Sequence, residues 1–526
     1  MLDMLIKNAL LYDGTGAAPA VRCVGVKDGK IVCVSEACDQ PALVEIDGEG
    51  LCLAPGFIDS HSHKDIHFFT NQARIESLKQ GVTTEVGGQC GWSVAPHPKS
   101  APEDYRDYIA ALRKQPDFET FGEYLEYLDT VKTGTNTAVF VGYNALRGTV
   151  MGMKTGEPTA EELSRICALA EEAMQAGALG FSVGLVYAPC VYAYKAELVA
   201  VARVVKRYGG RFTAHIRDEG DRLIEAVEEV ISIGEAGGVP VNISHLKALF
   251  PENFHKIDTV LEMIDQANAR GVEVTFDAYP YSACAATILS TLPPSYLSHG
   301  MPWLMEHLEG EENIETLRKA IYAPTEIWEN PVAKIGLENH LIAKAAKTPQ
   351  IEGMRISEYA QASGLDGIEA YAQIIRLNGG SVEDIRFAMS EENLEKIYRH
   401  PRCMVGSDGL YKGDKSPAHV RAFATFPKYL ADFIRDKKLL PMEEGIRRIT
   451  GMPADIYGLT GKGYVKEGYD ADLVLFHKEK LCHKATYADP FVPNEGIHMV
   501  IVNGKAAVVD NELTGVMEGK KILRKV

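Results

Sequence analysis

Residues 55 to 65 read PGFIDSHSHKD, an apolar run that ends on two histidines one residue apart. In an extended strand side chains alternate faces, so Asp59, His61 and His63 are expected to point the same way, where the apolar run stops. Three polar groups on one face need a shared partner.

Outward from this stretch, short apolar strands alternate with amphipathic helices. The strands LAPGFID, GVTTEVGG, TAVFVGY, GALGFSVG, RFTAH, VPVNISH, VEVTFDAYP and CMVGSD end near Asp59, Gly88, Tyr143, Gly184, His215, His245, Tyr279 and Asp408. Between several of them lie helical patterns with capping residues ahead and Gly behind, over 159–177, 218–237 and 254–271. Strand and helix alternating eight times predict an α/β fold built on a parallel (β/α)8 TIM-like barrel. The first fifty residues and the chain end read instead as short strands with tight turns, including the hairpin signal Asn503-Gly504. Neither piece could close a core alone, so 1–54 and 458–526 are expected to join in a small β-sandwich domain around a barrel at 55–457. Pro-rich and charged segments at about 287–360 break the rhythm and predict an insertion over the barrel mouth, a candidate lid.

The chain has 526 residues and a formal net charge of −17. That charge argues against nucleic acid or an anionic membrane as partner, because either needs clustered Lys and Arg. A small anionic substrate needs only a local cationic clamp. The first residues carry Lys7, Asn8 and Asp13 inside their apolar run, unlike a signal peptide. No stretch reaches the roughly 18 uninterrupted apolar residues of a membrane helix, so a cytoplasmic protein is expected. The ten Cys form no CxxC pair and default to reduced thiols.

Chemistry in such barrels sits at the C-terminal strand ends. Here those ends carry His61 and His63 (first strand), Cys90 (second), His215 (fifth), His245 (sixth) and Asp408 (eighth). A single His at a strand end is ordinary structure; the set at five ends of one barrel points to a metal. Imidazole, thiolate and carboxylate together suit Zn²⁺. The glycines of EVGGQCGWS let the backbone at Cys90 approach a ligand closely. A carboxylate at Asp408 could also take a proton from an attacking water and return it to a leaving nitrogen.

The segments PGFIDSHSH, GGQCGWSVAP, TAHIRDEGDRLIEAVEE, ISHLKA, DAYPY, VGSDG and HVRAFATFPKYL resemble, in order, those of the N-acyl-D-amino-acid deacylases (D-aminoacylases) of the amidohydrolase superfamily. The likeness includes the terminal strands NALLYDGTG and GIHMVIVNGK. It implies a zinc hydrolase of N-acyl-D-amino acids with one or two Zn²⁺ per chain. Cys90 would bridge where other superfamily members use a carboxylated Lys, with His215 and His245 on the tight zinc and His61 and His63 on a second. Asp408 would be the acid/base. Lys247, Arg421 and a Tyr of AYPY, Tyr279 or alternatively Tyr281, would clamp the substrate's α-carboxylate. The chain departs from the family pattern at Tyr143-Asn144, where VGH is common, at HLK, where some members have a second His, and at HVR in place of HPR. These departures bear on acyl-group and side-chain preference. A dihydropyrimidinase- or hydantoinase-like cyclic amidase shares the barrel and the HxH element, but it needs a Lys on the fourth strand and GALGFSVGLVY has none. A dipeptidase of the same superfamily and an inactive barrel acting as a binding protein are the remaining alternatives.

Overall fold

In the computed structural model, which describes residues 1–114, 116–413 and 418–524, eight parallel strands close a barrel. They are β1 (Phe57–Asp59), β2 (Val82–Gly87), β3 (Asn136–Val139 and Val141–Gly142, broken at Phe140), β4 (Gly180–Gly184), β5 (Arg211–His215), β6 (Val241–Ile243), β7 (Val274–Ala278) and β8 (Cys403–Val405). Each pairs in parallel with its neighbour, for example Gly184 with His215 and Ala278 with Val405. The ring closes between β8 and β1, where Ser60 Oγ donates to the Val405 carbonyl at 2.8 Å and Ser62 bridges Gly409. Every residue of these strands is buried, as a parallel sheet covered on both faces requires.

The covering helices follow the sequence signals. Ala160–Ala176 begins at Thr159, whose hydroxyl accepts from Glu162 N while the Glu162 carboxylate accepts from Thr159 N, and it ends at Gly177 with φ +113°. The helix expected at 218–237 starts only at Leu223, because Asp218 Oδ1 accepts from Gly220 N and Arg222 N and holds the preceding residues in a turn.

Both chain ends contribute to one nine-stranded sheet. Cys52–Pro55 pairs in parallel with Leu10–Leu11 and antiparallel with Leu473–Phe476. Met4, Ile6, Val24, Leu53, Leu473 and Ile501 share one apolar cluster, so the sheet bends over and its two wings cover each other. Asn503 and Gly504, at φ +47° and +83°, turn the hairpin between Val502 and Lys505. One residue, Gly56, separates this sheet from β1, and its N–H donates to the Asp472 carbonyl at 2.7 Å.

Between β7 and β8 the chain leaves the barrel for a three-stranded antiparallel sheet, with Val382–Arg386 between Cys284–Thr287 and His340–Ala345. Its helices pack on a separate apolar cluster that includes Leu289, Ile321, Ile342 and Tyr371. The excursion is wider than the expected 287–360. Pro and charge mark its turns and helices, whereas the strands that anchor it look like any other short apolar run. Among the described residues no helix is long and apolar enough to cross a membrane.

Candidate active site

The polar residues at the barrel's C-terminal rim converge. Cys90 Sγ lies 3.3 Å from His61 Nε2 and 3.3 Å from His245 Nε2. Donor atoms of Cys90, His215 and His245 fall within 4.8 Å of one another, and so do those of His61, His63, Cys90 and Asp408. Cys90 belongs to both groups. His63 Nε2 is 3.1 Å and His61 Nε2 3.6 Å from Asp408 Oδ1.

Three of these residues sit on left-handed backbone: Cys90 at φ +52°, His245 at +36° and Asp408 at +49°. A strand cannot continue through such a residue. This is why β6 and β8 end at Ile243 and Val405, two and three residues before the histidine and aspartate expected to terminate them. Side chains held from sparsely populated backbone are over-determined by their surroundings, a pattern that gathers at functional sites.

The donor set fits a zinc ion. Zn–S and Zn–N bonds of about 2.3 and 2.0–2.1 Å at tetrahedral angles put sulfur and nitrogen about 3.5 Å apart. The two observed sulfur–nitrogen separations are close to that. Both ring nitrogens of buried His215 lack a hydrogen-bond partner among the described residues, which leaves them available to a metal. Burial alone would raise the Cys90 thiol, but the imidazoles of His61 and His245 pull it well below its ordinary range, toward the thiolate that metals bind. Burial likewise disfavours the His63 imidazolium, yet the Asp408 carboxylate and Cys90 raise it to about 9.

Carboxylates behind the histidines orient them. Asp277 Oδ1 lies 3.1 Å from His61 Nδ1 and accepts from His245 N at 2.9 Å. Glu219 Oε1 lies 3.1 Å from His245 Nδ1 and accepts from Lys247 Nζ at 2.6 Å. Such partners fix ring orientation and raise ligand basicity. Neither Asp277 nor Glu219 was identified from the sequence. The available signal was position: Glu219 follows His215 by four residues in HIRDEGD, and Asp277 opens DAYPY. Asp59, expected to share a partner with His61 and His63, instead accepts from the backbone N–H of Ser407 at 2.7 Å and ties β1 to β8. Strand geometry ends at Asp59, so the alternation that aligned the three groups does not extend to the histidines.

Of the residues expected to bind substrate, Lys247, Tyr279 and Arg421 come together. The Tyr279 ring has Arg421 Cζ 4.6 Å and Lys247 Nζ 5.6 Å from its centre. Arg421 Nη1 also pairs with Asp408 Oδ2 at 2.9 Å. Tyr281 stands apart, its ring packed edge-on against His419 at 5.6 Å. Tyr143, at the departure from VGH, spends its hydroxyl on Glu197. A cavity opens beside His63, Asp408 and Arg421, lined also by Trp92, Tyr187 and Arg113.

Residues 52–507 match the model of the Amidohydrolase family. Two curated proteins of Alcaligenes xylosoxydans xylosoxydans are each 32% identical to the chain. One is an N-acyl-D-glutamate deacylase, aligned over 96% of this chain and 93% of its own length; the other is a D-aminoacylase, over 99% and 98%. The crystal structure of N-acyl-D-glutamate deacylase from Bordetella bronchiseptica, complexed with zinc and a phosphonate inhibitor, superposes with a TM-score of 0.85 at 32% identity, covering all of both chains. An L-hydantoinase from Arthrobacter aurescens, at 16% identity and a TM-score of 0.55, shares the fold alone. The chain belongs to the amidohydrolase family, in the branch of the N-acyl-D-amino-acid deacylases.

Proposed function

We propose that this chain is a zinc-dependent enzyme that hydrolyses the amide of an N-acyl-D-amino acid to a carboxylate and a free D-amino acid. The observation that carries the reading is the place of Cys90, one sulfur shared by the His215/His245 group and the His61/His63/Asp408 group. Cys90, His215 and His245 would hold the tight ion, and His61 and His63 a second. When bound, zinc supplies Lewis acidity, polarising the scissile carbonyl and acidifying the attacking water.

Asp408 Oδ1 takes the proton of that water and delivers it to the departing amine nitrogen, which is too basic to leave unprotonated. Its carboxyl suits the first task. Burial works to raise it, but Arg421 above all, then His245 and His63, hold it well below the usual carboxylate range. Arg421, Lys247 and Tyr279 bind the α-carboxylate and so orient the carbonyl toward the metal ligands. The joint approach of both cations to one ring supports that assignment.

Amine release from matched N-acetyl-D- and N-acetyl-L-amino acids, measured before chelation, after it and after zinc is restored, tests the reading. Zinc-dependent release from D substrates is expected. Activity confined to L substrates would overturn the stereochemical assignment, and activity indifferent to chelation would overturn the mechanism.

A further inference from the structure

Three of the four rim histidines have a carboxylate oxygen against the ring. His61 Nδ1 has Asp277, His63 Nε2 has Asp408 and His245 Nδ1 has Glu219, each at 3.1 Å. His215 is the exception. Its Nε2 is 3.8 Å from Glu219 Oε2, and neither ring nitrogen makes a hydrogen bond among the described residues. A metal takes one nitrogen of a neutral imidazole and leaves the other carrying a proton, whose acceptor then fixes the ring. Glu219 is already committed through Oε1 to Lys247 and His245.

A second carboxylate stands beside the ring. Donor atoms of His215, Glu219 and Glu329 fall within 4.8 Å of one another. Glu329 does not come from the barrel. It belongs to the excursion between β7 and β8, on the segment joining the helices Glu311–Tyr322 and Pro331–Ile335. That segment is fastened at both ends. Ser295 Oγ donates to Glu326 at 2.6 Å, and Asn330, on left-handed backbone at φ +51°, donates from Nδ2 to the Ile321 carbonyl at 2.7 Å. Lys334 Nζ pairs with Asp221, on the loop after β5, at 2.6 Å. Held in this way, Glu329 reaches the same loop, where its Oε1 accepts from Glu219 N at 2.9 Å.

This is the one hydrogen bond of Glu329 among the described residues, and the nearby charges are mainly of its own sign. Burial, then Glu219 and Asp218, push its carboxyl up to about 8, with Arg386 acting the other way. A carboxyl short of donors thus lies next to an imidazole short of an acceptor, both buried, where each unmade bond is costly.

From this juxtaposition we infer that Glu329 is a positioning residue of the metal centre, the group that accepts the free N–H of His215 and sets its ring for zinc. The excursion is then part of the metal site as well as a neighbour of the cavity. The inference rests on the zinc-binding half of the proposed function and is independent of the substrate.

The test measures the Kd of the tighter zinc by competition with a chromophoric chelator, and the urea midpoint of the zinc-free protein, in the wild type, Glu329→Ala and Glu329→Gln. Glu329→Ala should weaken zinc binding by about 10- to 100-fold, the usual loss when the partner behind a metal ligand is removed. Glu329→Gln keeps an oxygen that can accept the same N–H and should recover part of that loss. A role confined to fastening the excursion would lower the zinc-free midpoint and leave the zinc Kd where it was. A Kd unmoved in Glu329→Ala therefore overturns the inference. So do equal losses in the two variants, which would trace to charge alone and not to an acceptor for His215. A wild type that binds zinc while its variants behave in either of these ways leaves the proposed function standing; a wild type that binds no zinc overturns both.

Discussion

Arg421 Nη1 lies 2.9 Å from Asp408 Oδ2, so the guanidinium assigned to a substrate carboxylate also grips the carboxylate assigned to proton transfer. Binding and proton chemistry are thereby joined in one ion pair, and each can be perturbed through the other. Arg421→Met should raise the Asp408 pKa, because the guanidinium is the main influence opposing burial there. As the base must be ionised to accept a proton, the acid limb of kcat/KM against pH should move to higher pH, alongside an increased KM. A pH–rate profile that keeps its acid limb would detach Arg421 from Asp408.

Asp408→Asn keeps the shape of the side chain and removes its capacity to take a proton. A loss of about 10²- to 10⁴-fold in kcat is expected, with zinc content nearly unchanged. Elemental analysis beside steady-state kinetics checks both halves, and turnover near the wild-type value would remove Asp408 from the mechanism.

Cys90→Ser replaces the shared thiolate with a hydroxyl that stays protonated at neutral pH. Zinc retained after gel filtration should fall, with activity lost in proportion and recovered only at raised zinc concentration. Retention of full zinc stoichiometry by the serine variant would contradict a ligand role for Cys90.

Lys247 holds Glu219 at 2.6 Å and lies 2.7 Å from His245 Nδ1. Lys247→Met leaves the Glu219 carboxylate buried without its main counter-ion, which costs about 3 kcal/mol where a buried pair is broken. The variant should unfold at lower denaturant and show a raised KM. The Lys247 ammonium and then His215 and His245 keep Glu219 well below the usual carboxylate range, against burial. A depressed folded pKa contributes stability above the ordinary carboxylate range near pH 4, lost as pH falls through the lower folded value. Around pH 4 and above, the difference between wild type and Lys247→Met should therefore be at its largest, shrinking in stronger acid. Equal denaturation midpoints at pH 7 would show that the pair contributes nothing.

The barrel was legible because parallel strands buried on both faces leave uninterrupted apolar runs, and the residues that follow those runs lie at one rim whatever the loops do. His61, His63, Cys90, His215 and His245 could be picked out for that reason. Glu219 and Asp277 could not, since a carboxylate behind a histidine differs from one in solvent only by contacts that form on folding. Asp59 misled because a period of two holds only while the backbone stays extended.

A single glycine joins the sheet of the termini to the strand that delivers His61 and His63. At the far end of the polypeptide, Ile522 N–H donates to the Thr137 carbonyl on β3, at 2.8 Å. First and last segments thus clasp the catalytic shell mechanically. Trimming the final strands, although remote from any reacting atom, would slacken the hinge from which two of the five nitrogen and sulfur donors hang, and the injury would register first as metal leaking away.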